Sequence, residues 1–155
     1  MLELNLPAFD YKLIKKDDKL YIFDVLRKKY VFLTPEEWVR QHFIHFLMNT
    51  YNYPKALMKA EGGLKYNNLP KRTDLVVFDR QGKPFIVVEC KDTLVQLTQA
   101  TFEQAARYNY VLKAPYLIVV NGLTYHCCYI DHAKQSFQFL KDIPYFAPTD
   151  ISSEN

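Results

Sequence analysis

Polar and apolar residues alternate in short runs at the start of this chain, and the pattern then changes to a helical period. Charged and aromatic residues alternate in three runs, at residues 11–15, 19–25 and 29–33. This alternation is typical of strands and predicts an antiparallel meander. Thr34-Pro35-Glu36-Glu37 then predicts a helix start, because threonine caps a first turn, proline fits the first helical position and Glu37 completes a capping box.

The helical period continues to about residue 50, and a second helix is expected at about 94–112, where Pro115 marks its end. The side chains expected to be buried in the first helix include Trp38, Phe43, Phe46 and Leu47. The remaining apolar runs predict strands near 56–66, 72–78, 84–91, 116–120, 124–130 and 135–140. No internal repeat, low-complexity tract or linker interrupts this series, so we expect one domain over residues 1–155.

Charged residues stand at unusual places in two of these strands. The run from Pro84 to Val88 is apolar at every position, which is typical of a strand that is covered on both faces. Glu89 and Lys91 follow it directly, and Asp74 lies in the preceding strand. Charges are rarely placed in such surroundings unless they are paired or bound to a cation.

The apolar pattern also suggests how the two strands pair. If Phe78 pairs with Phe85 across the turn, Asp74 stands opposite Glu89, whereas a slip of one residue would move Asp74 to the other face. Opposed carboxylates repel each other unless one is protonated or a cation lies between them. On this basis, Asp74→Asn is expected to stabilise the metal-free protein, and the pair predicts a site for a divalent cation.

The chemistry of such a site follows from its donor atoms. Mg²⁺ is bound by one or two carboxylates together with phosphate and water, and Mn²⁺ is expected to substitute for it. Lys91 would then orient or deprotonate a water molecule, or neutralise charge on an attacked phosphate. The alternative is a surface hairpin on which Glu89 and Lys91 form a solvated ion pair.

Four segments together resemble the PD-(D/E)xK nuclease superfamily and, more narrowly, the N-terminal nuclease domain of type I restriction enzyme R subunits. They are Thr34-Pro-Glu-Glu-Trp-Val-Arg-Gln41, Arg72-Thr-Asp-Leu-Val-Val-Phe78, Val88-Glu-Cys-Lys91 and Gln104-Ala-Ala-Arg-Tyr108. The resemblance covers about residues 34–121. It implies a restriction-endonuclease-like core, in which a mixed central sheet is flanked by helices in an α/β (α+β) arrangement.

The resemblance also implies roles for individual residues. Asp74 and Glu89 would bind the metal and Lys91 would be catalytic, while Gln104 and Tyr108 match the glutamine–tyrosine motif of the family. Many family members carry an acid on the preceding helix near the metal, and Glu37 would fill that place. Two alternatives stay open: Glu37 serves only as a helix cap, and Gln104 with Tyr108 forms a packing stripe on one helix face.

The sequence departs from the family pattern at two points. Thr73 stands where the name of the superfamily has proline. No phosphate-binding GxxxxGK[ST] motif occurs, so we expect no ATP-driven motor within these residues.

Composition narrows the class of protein further. Among 155 residues, 49% are hydrophobic and the net charge is +3, which permits a local basic patch but does not require nucleic acid. Cys90, Cys127 and Cys128 show no metal-ligand spacing and leave an odd count, so we expect a reducing, cytoplasmic environment. Neither a membrane span nor a signal peptide is expected.

The sequence therefore predicts a metal-dependent endonuclease of a restriction system, with Mg²⁺ as cofactor and DNA as substrate. Other restriction-modification subunits are expected partners, and a homo-oligomer is compatible with the sequence. One alternative is a nucleic-acid-binding or assembly module that has the nuclease fold but little activity alone. Another is a protein-interaction domain that contains a structural ion pair.

Overall fold

The structure of this protein is a computed structural model, and it describes residues 2–60 and 74–147. Those residues contain two α-helices, α1 (Pro35–Asn49) and α2 (Gln99–Leu112), and one 3₁₀ turn (Lys55–Leu57). The strands within them are β1 (Leu13–Lys16), β2 (Lys19–Asp24), β3 (Lys29–Phe32), β4 (Met58–Ala60), β5 (Leu75–Phe78), β6 (Pro84–Cys90), β7 (Tyr116–Val120), β8 (Tyr125–Asp131) and β9 (Ser136–Leu140).

The N-terminal strands form the predicted meander as a separate sheet. Its order is β1-β2-β3, and both pairings are antiparallel. Asp17 and Asp18 connect β1 to β2 with positive φ angles of 53° and 63°. Short polar residues tolerate this left-handed conformation, which suits the tight turn of a twisted hairpin.

Helix α1 begins and ends where the sequence predicted. The hydroxyl of Thr34 accepts a hydrogen bond from the backbone N–H of Glu37, and Pro35 occupies the first turn. Most of the predicted apolar face is buried in the core. Phe46 is an exception, because it is only half-buried at the edge of this core, where its ring contacts Phe43.

The second sheet confirms the expected mixed architecture. Its six strands have the order β4-β5-β6-β7-β8-β9, and β6 pairs antiparallel with β5 but parallel with β7. Alternate residues of β6 enter two separate cores: Val88 packs in the core that contains α1, and Val87 packs in the core that contains Phe102 of α2. The apolar run of β6 is therefore covered on both faces, as predicted.

Helix α2 starts five residues later than predicted. Thr98 and Thr101 form a capping box, so the helix begins at Gln99 rather than near residue 94. Asp92 holds the preceding segment in a turn, because its backbone carbonyl accepts from the N–H of Val95 at 2.9 Å. The C-terminus agrees with the prediction, with the chain leaving the helix just before Pro115.

The hairpin between β5 and β6 contains an irregularity at its turn. Phe78 pairs with Pro84 rather than with the predicted Phe85, because the register shifts near the end of β5. Proline has no N–H to donate and is found at such irregularities. Asp79 closes the turn: its N–H donates to the carbonyl of Lys83 at 2.8 Å, and its carboxylate accepts from the N–H of Lys83 at 2.9 Å.

Parts of two predicted strands fall outside the described residues. Of the strand expected near 56–66, the structure places β4 at Met58–Ala60, and residues 61–66 lie outside the described ranges. Residues 72 and 73 of the next strand are likewise outside them, and Asp74 forms a bend just before β5. Throughout residues 2–60 and 74–147, no helix is both long and apolar enough to cross a membrane.

Candidate functional site

The antiparallel register brings the two predicted acids to facing positions. Leu75 pairs with Val88, and the next step in the same register puts Asp74 opposite Glu89. Both carboxylates are withdrawn from solvent, with residue exposures of 7% for Asp74 and 3% for Glu89. The predicted juxtaposition is thus present, at the end of β6 where the chain leaves the sheet.

Both oxygens of the Asp74 carboxylate have partners. Its Oδ2 accepts a hydrogen bond of 2.7 Å from the backbone N–H of Cys90, which ties the start of β5 to the end of β6. Its Oδ1 accepts from Nη2 of Arg40 at 3.2 Å. Arg40 is only 4% exposed, so a buried cation from α1 lies beside the acid pair.

Arg40 also connects this pair to Glu37. The Nη1 atom of Arg40 donates to Oε1 of Glu37 in a short ion pair. The same oxygen accepts from Nη2 of Arg27 at 3.3 Å, and Oε2 accepts from Nε2 of Gln41 at 2.7 Å. The backbone of Glu37 is capped by Thr34, but its carboxylate binds these three side chains instead of completing the predicted capping box.

Glu89 and Lys91 form an ion pair, but it is not the solvated pair of a surface hairpin. The Nζ atom of Lys91 lies 3.3 Å from Oε2 of Glu89, and the exposures of the two side chains are 15% and 4%. The two residues are two positions apart, so their side chains extend to the same face, as the period of two along an extended chain requires. A lysine ammonium is therefore held beside a buried carboxylate.

The pKa of the Cys90 thiol depends on the charged residues around it. Burial raises the pKa of its thiol well above the ordinary value, and the negative charge of Asp74 raises it further. Arg40 partly opposes this effect, while Glu89 and Glu37 add to it. Burial and the neighbouring negative charges therefore favour the protonated form of this thiol.

The donor set fits a hard divalent cation in part. Asp74 and Glu89 supply the two carboxylates with which Mg²⁺ is commonly held when phosphate and water complete its coordination. Within the described ranges, no group of three or more His, Cys, Asp or Glu side chains is arranged to hold a metal ion. Glu37 as a third ligand therefore stays a prediction, and it would first have to exchange its bonds to Arg40 and Gln41.

The predicted glutamine–tyrosine pair lies on α2, on the other side of the sheet from α1. Gln104 is exposed and Tyr108 is half-buried, whereas the buried residues of α2 are Phe102, Ala105 and Asn109. The described structure shows no hydrogen bond from Gln104 to the acids or to Lys91. The two residues thus border the packed face rather than forming its centre, and their catalytic role stays a prediction.

Sequence reasoning missed the residues that surround Asp74 and Glu37. Arg40 and Gln41 lie three and four positions after Glu37, which is the spacing at which helical side chains meet. Gln41 is fully buried, and its Oε1 has no hydrogen-bond partner among the described residues. The spacing within the helix could have predicted the contacts of Arg40 and Gln41 with Glu37. The contact between Arg40 and Asp74 spans 34 positions, and no local sequence pattern indicates it.

The two layers of helix around a mixed sheet, with an acid pair at the end of a central strand, are consistent with a restriction-endonuclease-like fold. The family described as Type I restriction enzyme R protein N terminus matches this sequence over residues 35–144. That match covers most of the chain, including both helices, the acid pair and Lys91, and this chain therefore belongs to that family.

The solved structures include chains that are similar to this one. The chain is similar to the fragment structure of a candidate HsdR subunit of a type I restriction enzyme from Vibrio vulnificus YJ016, with 24% sequence identity and a TM-score of 0.37. The match covers 57% of this chain but 16% of that one, so the chain spans a small part of the length of that relative. None of the curated proteins matches this sequence.

Proposed function

We propose that this chain is a metal-dependent endonuclease domain that hydrolyses phosphodiester bonds of DNA, as a PD-(D/E)xK member of its family. The observation that carries the proposal is the pair of buried carboxylates of Asp74, directly before β5, and Glu89 near the end of β6, with the ammonium of Lys91 beside Glu89. Arg40 and Lys91 compensate part of the charge of these buried acids, and the two carboxylates are the oxygen ligands that a divalent cation would take.

Asp74 and Glu89 would hold Mg²⁺, with Mn²⁺ as a substitute. A bound divalent cation supplies a Lewis acid for the phosphoryl oxygen and lowers the pKa of a bound water. Lys91 would donate a hydrogen bond to a phosphate oxygen or to the attacking water, and the position of its ammonium beside Glu89 supports this role. The N–H of Cys90 fixes the orientation of the Asp74 carboxylate.

In this proposal, the other predicted site residues assist Asp74, Glu89 and Lys91. Glu37 would either join the metal or position Arg40 against Asp74, and its present bonds support the second role. Gln104 and Tyr108 would contact phosphate or position Lys91. Other restriction-modification subunits are the proposed partners and the cytoplasm is the proposed location, both because of the family to which the chain belongs.

A plasmid-nicking assay tests the proposal. Purified protein is expected to nick supercoiled DNA with Mg²⁺ or Mn²⁺ and not with EDTA, and Asp74→Asn and Lys91→Met should each lower the rate by at least a hundredfold while the far-UV spectrum is unchanged. Glu103→Gln, which removes an exposed carboxylate of α2, is the matched control and should retain full activity. Equal cleavage in EDTA, or a fully active Lys91→Met variant, would refute the metal-nuclease assignment.

A second candidate function is a nucleic-acid-binding or assembly module without activity of its own. The observation in its favour is that Arg40 already forms ion pairs with Asp74 and Glu37, and Arg27 forms another with Glu37, so that these acids belong to an ion-pair network. This alternative predicts that DNA binding occurs without cleavage and that Mn²⁺ does not alter the stability of the protein. Cleavage that depends on Asp74 would exclude it.

A further inference from the structure

A basic cleft lies between the meander and the first strand of the large sheet. One wall is formed by residues 25–29, which comprise the turn from β2 to β3 and the first residue of β3. The other wall is the segment from Lys55 to Ala60, which includes the 3₁₀ turn and β4. Its volume is about 580 Å³. The cleft is thus built from two segments that lie far apart in the sequence.

Of the ten described residues that line this cleft, five are basic and none is acidic or aromatic. The basic residues are Arg27, Lys28, Lys29, Lys55 and Lys59. The four lysines are exposed, whereas Arg27 is engaged by Asp24 and Glu37. Because the whole chain carries a net charge of only +3, this cleft concentrates positive charge far above the average of the surface.

The cleft borders the acid pair through two connections. Ala60, on its floor, pairs with Leu75, which directly follows Asp74. Arg27, in its wall, binds Glu37, and Glu37 binds Arg40, which in turn binds Asp74. An anionic chain that lies along the cleft would therefore run toward the predicted reaction centre.

We propose that this cleft binds the phosphate backbone of duplex DNA and guides it to the acid pair, an inference that rests on the proposed function. Lysine ammonium groups act as point charges on phosphates and read no base sequence. Sites for single strands add aromatic side chains on which bases stack, and none of the described residues that line this cleft is aromatic. The charge and the lining together favour a double-stranded, sequence-independent contact.

Binding of a fluorescein-labelled 20-base-pair duplex in EDTA, measured by anisotropy over a range of salt concentrations, tests this cleft without any catalysis. The combined variant Lys28→Gln, Lys29→Gln, Lys55→Gln and Lys59→Gln is expected to bind at least tenfold more weakly at low salt. If all four lysines contact phosphates, the plot of the logarithm of the binding constant against the logarithm of the salt concentration should become less steep. The magnitude of its slope should decrease by roughly 3 to 4, at about 0.9 for each contact.

The matched control removes four exposed lysines from other elements, as Lys15→Gln, Lys16→Gln, Lys134→Gln and Lys141→Gln. It makes the same change in net charge and should retain most of the slope. An equal loss in both variants, or an unchanged slope in the cleft variant, would overturn the proposal, and so would equal affinity for a single strand of the same length. If the cleft variant binds DNA more weakly but the wild type does not cleave it, the cleft is a DNA-binding site and the nuclease assignment is refuted.

Discussion

At the scale of single residues, the cation that the opposed acids require is present in the chain itself. The sequence predicted that Asp74 and Glu89 would repel unless a cation lies nearby. Arg40 supplies that charge to Asp74. The acids could be predicted because they interrupt an apolar strand. The role of Arg40 could not be predicted, because Arg40 lies 34 positions from Asp74 in the sequence. The apolar residues of α1 alone explain why that helix is buried, so they do not point to an ion pair.

Replacement of Arg40 should therefore be costly. Arg40→Met leaves the Glu37 and Asp74 carboxylates without their shared buried cation, and loss of one partner from a buried pair costs about 3–5 kcal/mol. Arg107→Met is the control, because Arg107 is exposed on α2 and such surface substitutions usually change stability by about 0.5 kcal/mol or less. Urea unfolding measures both values, and an Arg40→Met variant as stable as Arg107→Met would show that the network is not structurally important.

At the scale of elements, apolar pattern and capping residues predicted most boundaries, and local polar contacts decided the others. Helix α1 followed its threonine–proline start, whereas α2 was predicted five residues too long because the apolar residues before Thr98 continue the helical period. The capping box formed by Thr98 and Thr101 instead makes the helix begin at Gln99. The register of β5 against β6 was predictable near the acids but not at the turn, where Pro84 shifts the pairing.

Helix α2 offers a separate test of the glutamine–tyrosine pair. Gln104 is exposed, so Gln104→Ala should change the melting temperature little, while it lowers cleavage or DNA affinity if the residue serves the site. Tyr108→Ala should destabilise the protein by about 1–3 kcal/mol, because the ring is half-buried and a fully buried aromatic truncation costs more. A silent Gln104→Ala in an active enzyme would remove this residue from the site.

Helix α1 introduces a pH dependence through two histidines. Burial lowers the pKa of His42 and of His45 below the ordinary 6.5, and the Nδ1 atom of His42 bonds the carbonyl of Trp38. Below about pH 6.5 the unfolded chain therefore binds protons that the folded chain does not. Stability should be complete above that pH and fall as the pH drops toward the lowered pKa values.

Urea unfolding at pH 7.5 and pH 5.5 checks this sign. The double variant His42→Gln, His45→Gln should lose less stability between the two pH values than the wild type does. A wild type that is more stable at pH 5.5, or a double variant with the full loss, would contradict the assignment.

At the scale of the whole molecule, the two helices lie on opposite faces of one mixed sheet, and β6 carries the acid and lysine to its end. The order of elements predicted this arrangement through the family resemblance, and the family match agrees with it. The basic cleft was not predictable as one surface, because its lysines come from the β2–β3 turn, the start of β3, the 3₁₀ turn and β4, and only the folded chain brings these segments together.

The ion-pair network changes one expectation for the metal-free protein. The sequence suggested that Asp74→Asn would relieve repulsion and stabilise the fold. Because Asp74 accepts from Arg40 and from the N–H of Cys90, we now expect the variant to be less stable without metal. The metal response must therefore be compared within each variant, as the change on adding Mn²⁺.

Thermal unfolding with and without Mn²⁺ tests most directly whether Asp74 and Glu89 form a metal site. Binding to the native state at a hundredfold excess over Kd raises stability by about 2.7 kcal/mol. The account predicts a rise in the melting temperature of the wild type and of Glu103→Gln, and loss of most of that rise in Asp74→Asn and Glu89→Gln. An undiminished rise in both acid variants, or no rise in the wild type at any Mn²⁺ concentration, would contradict it.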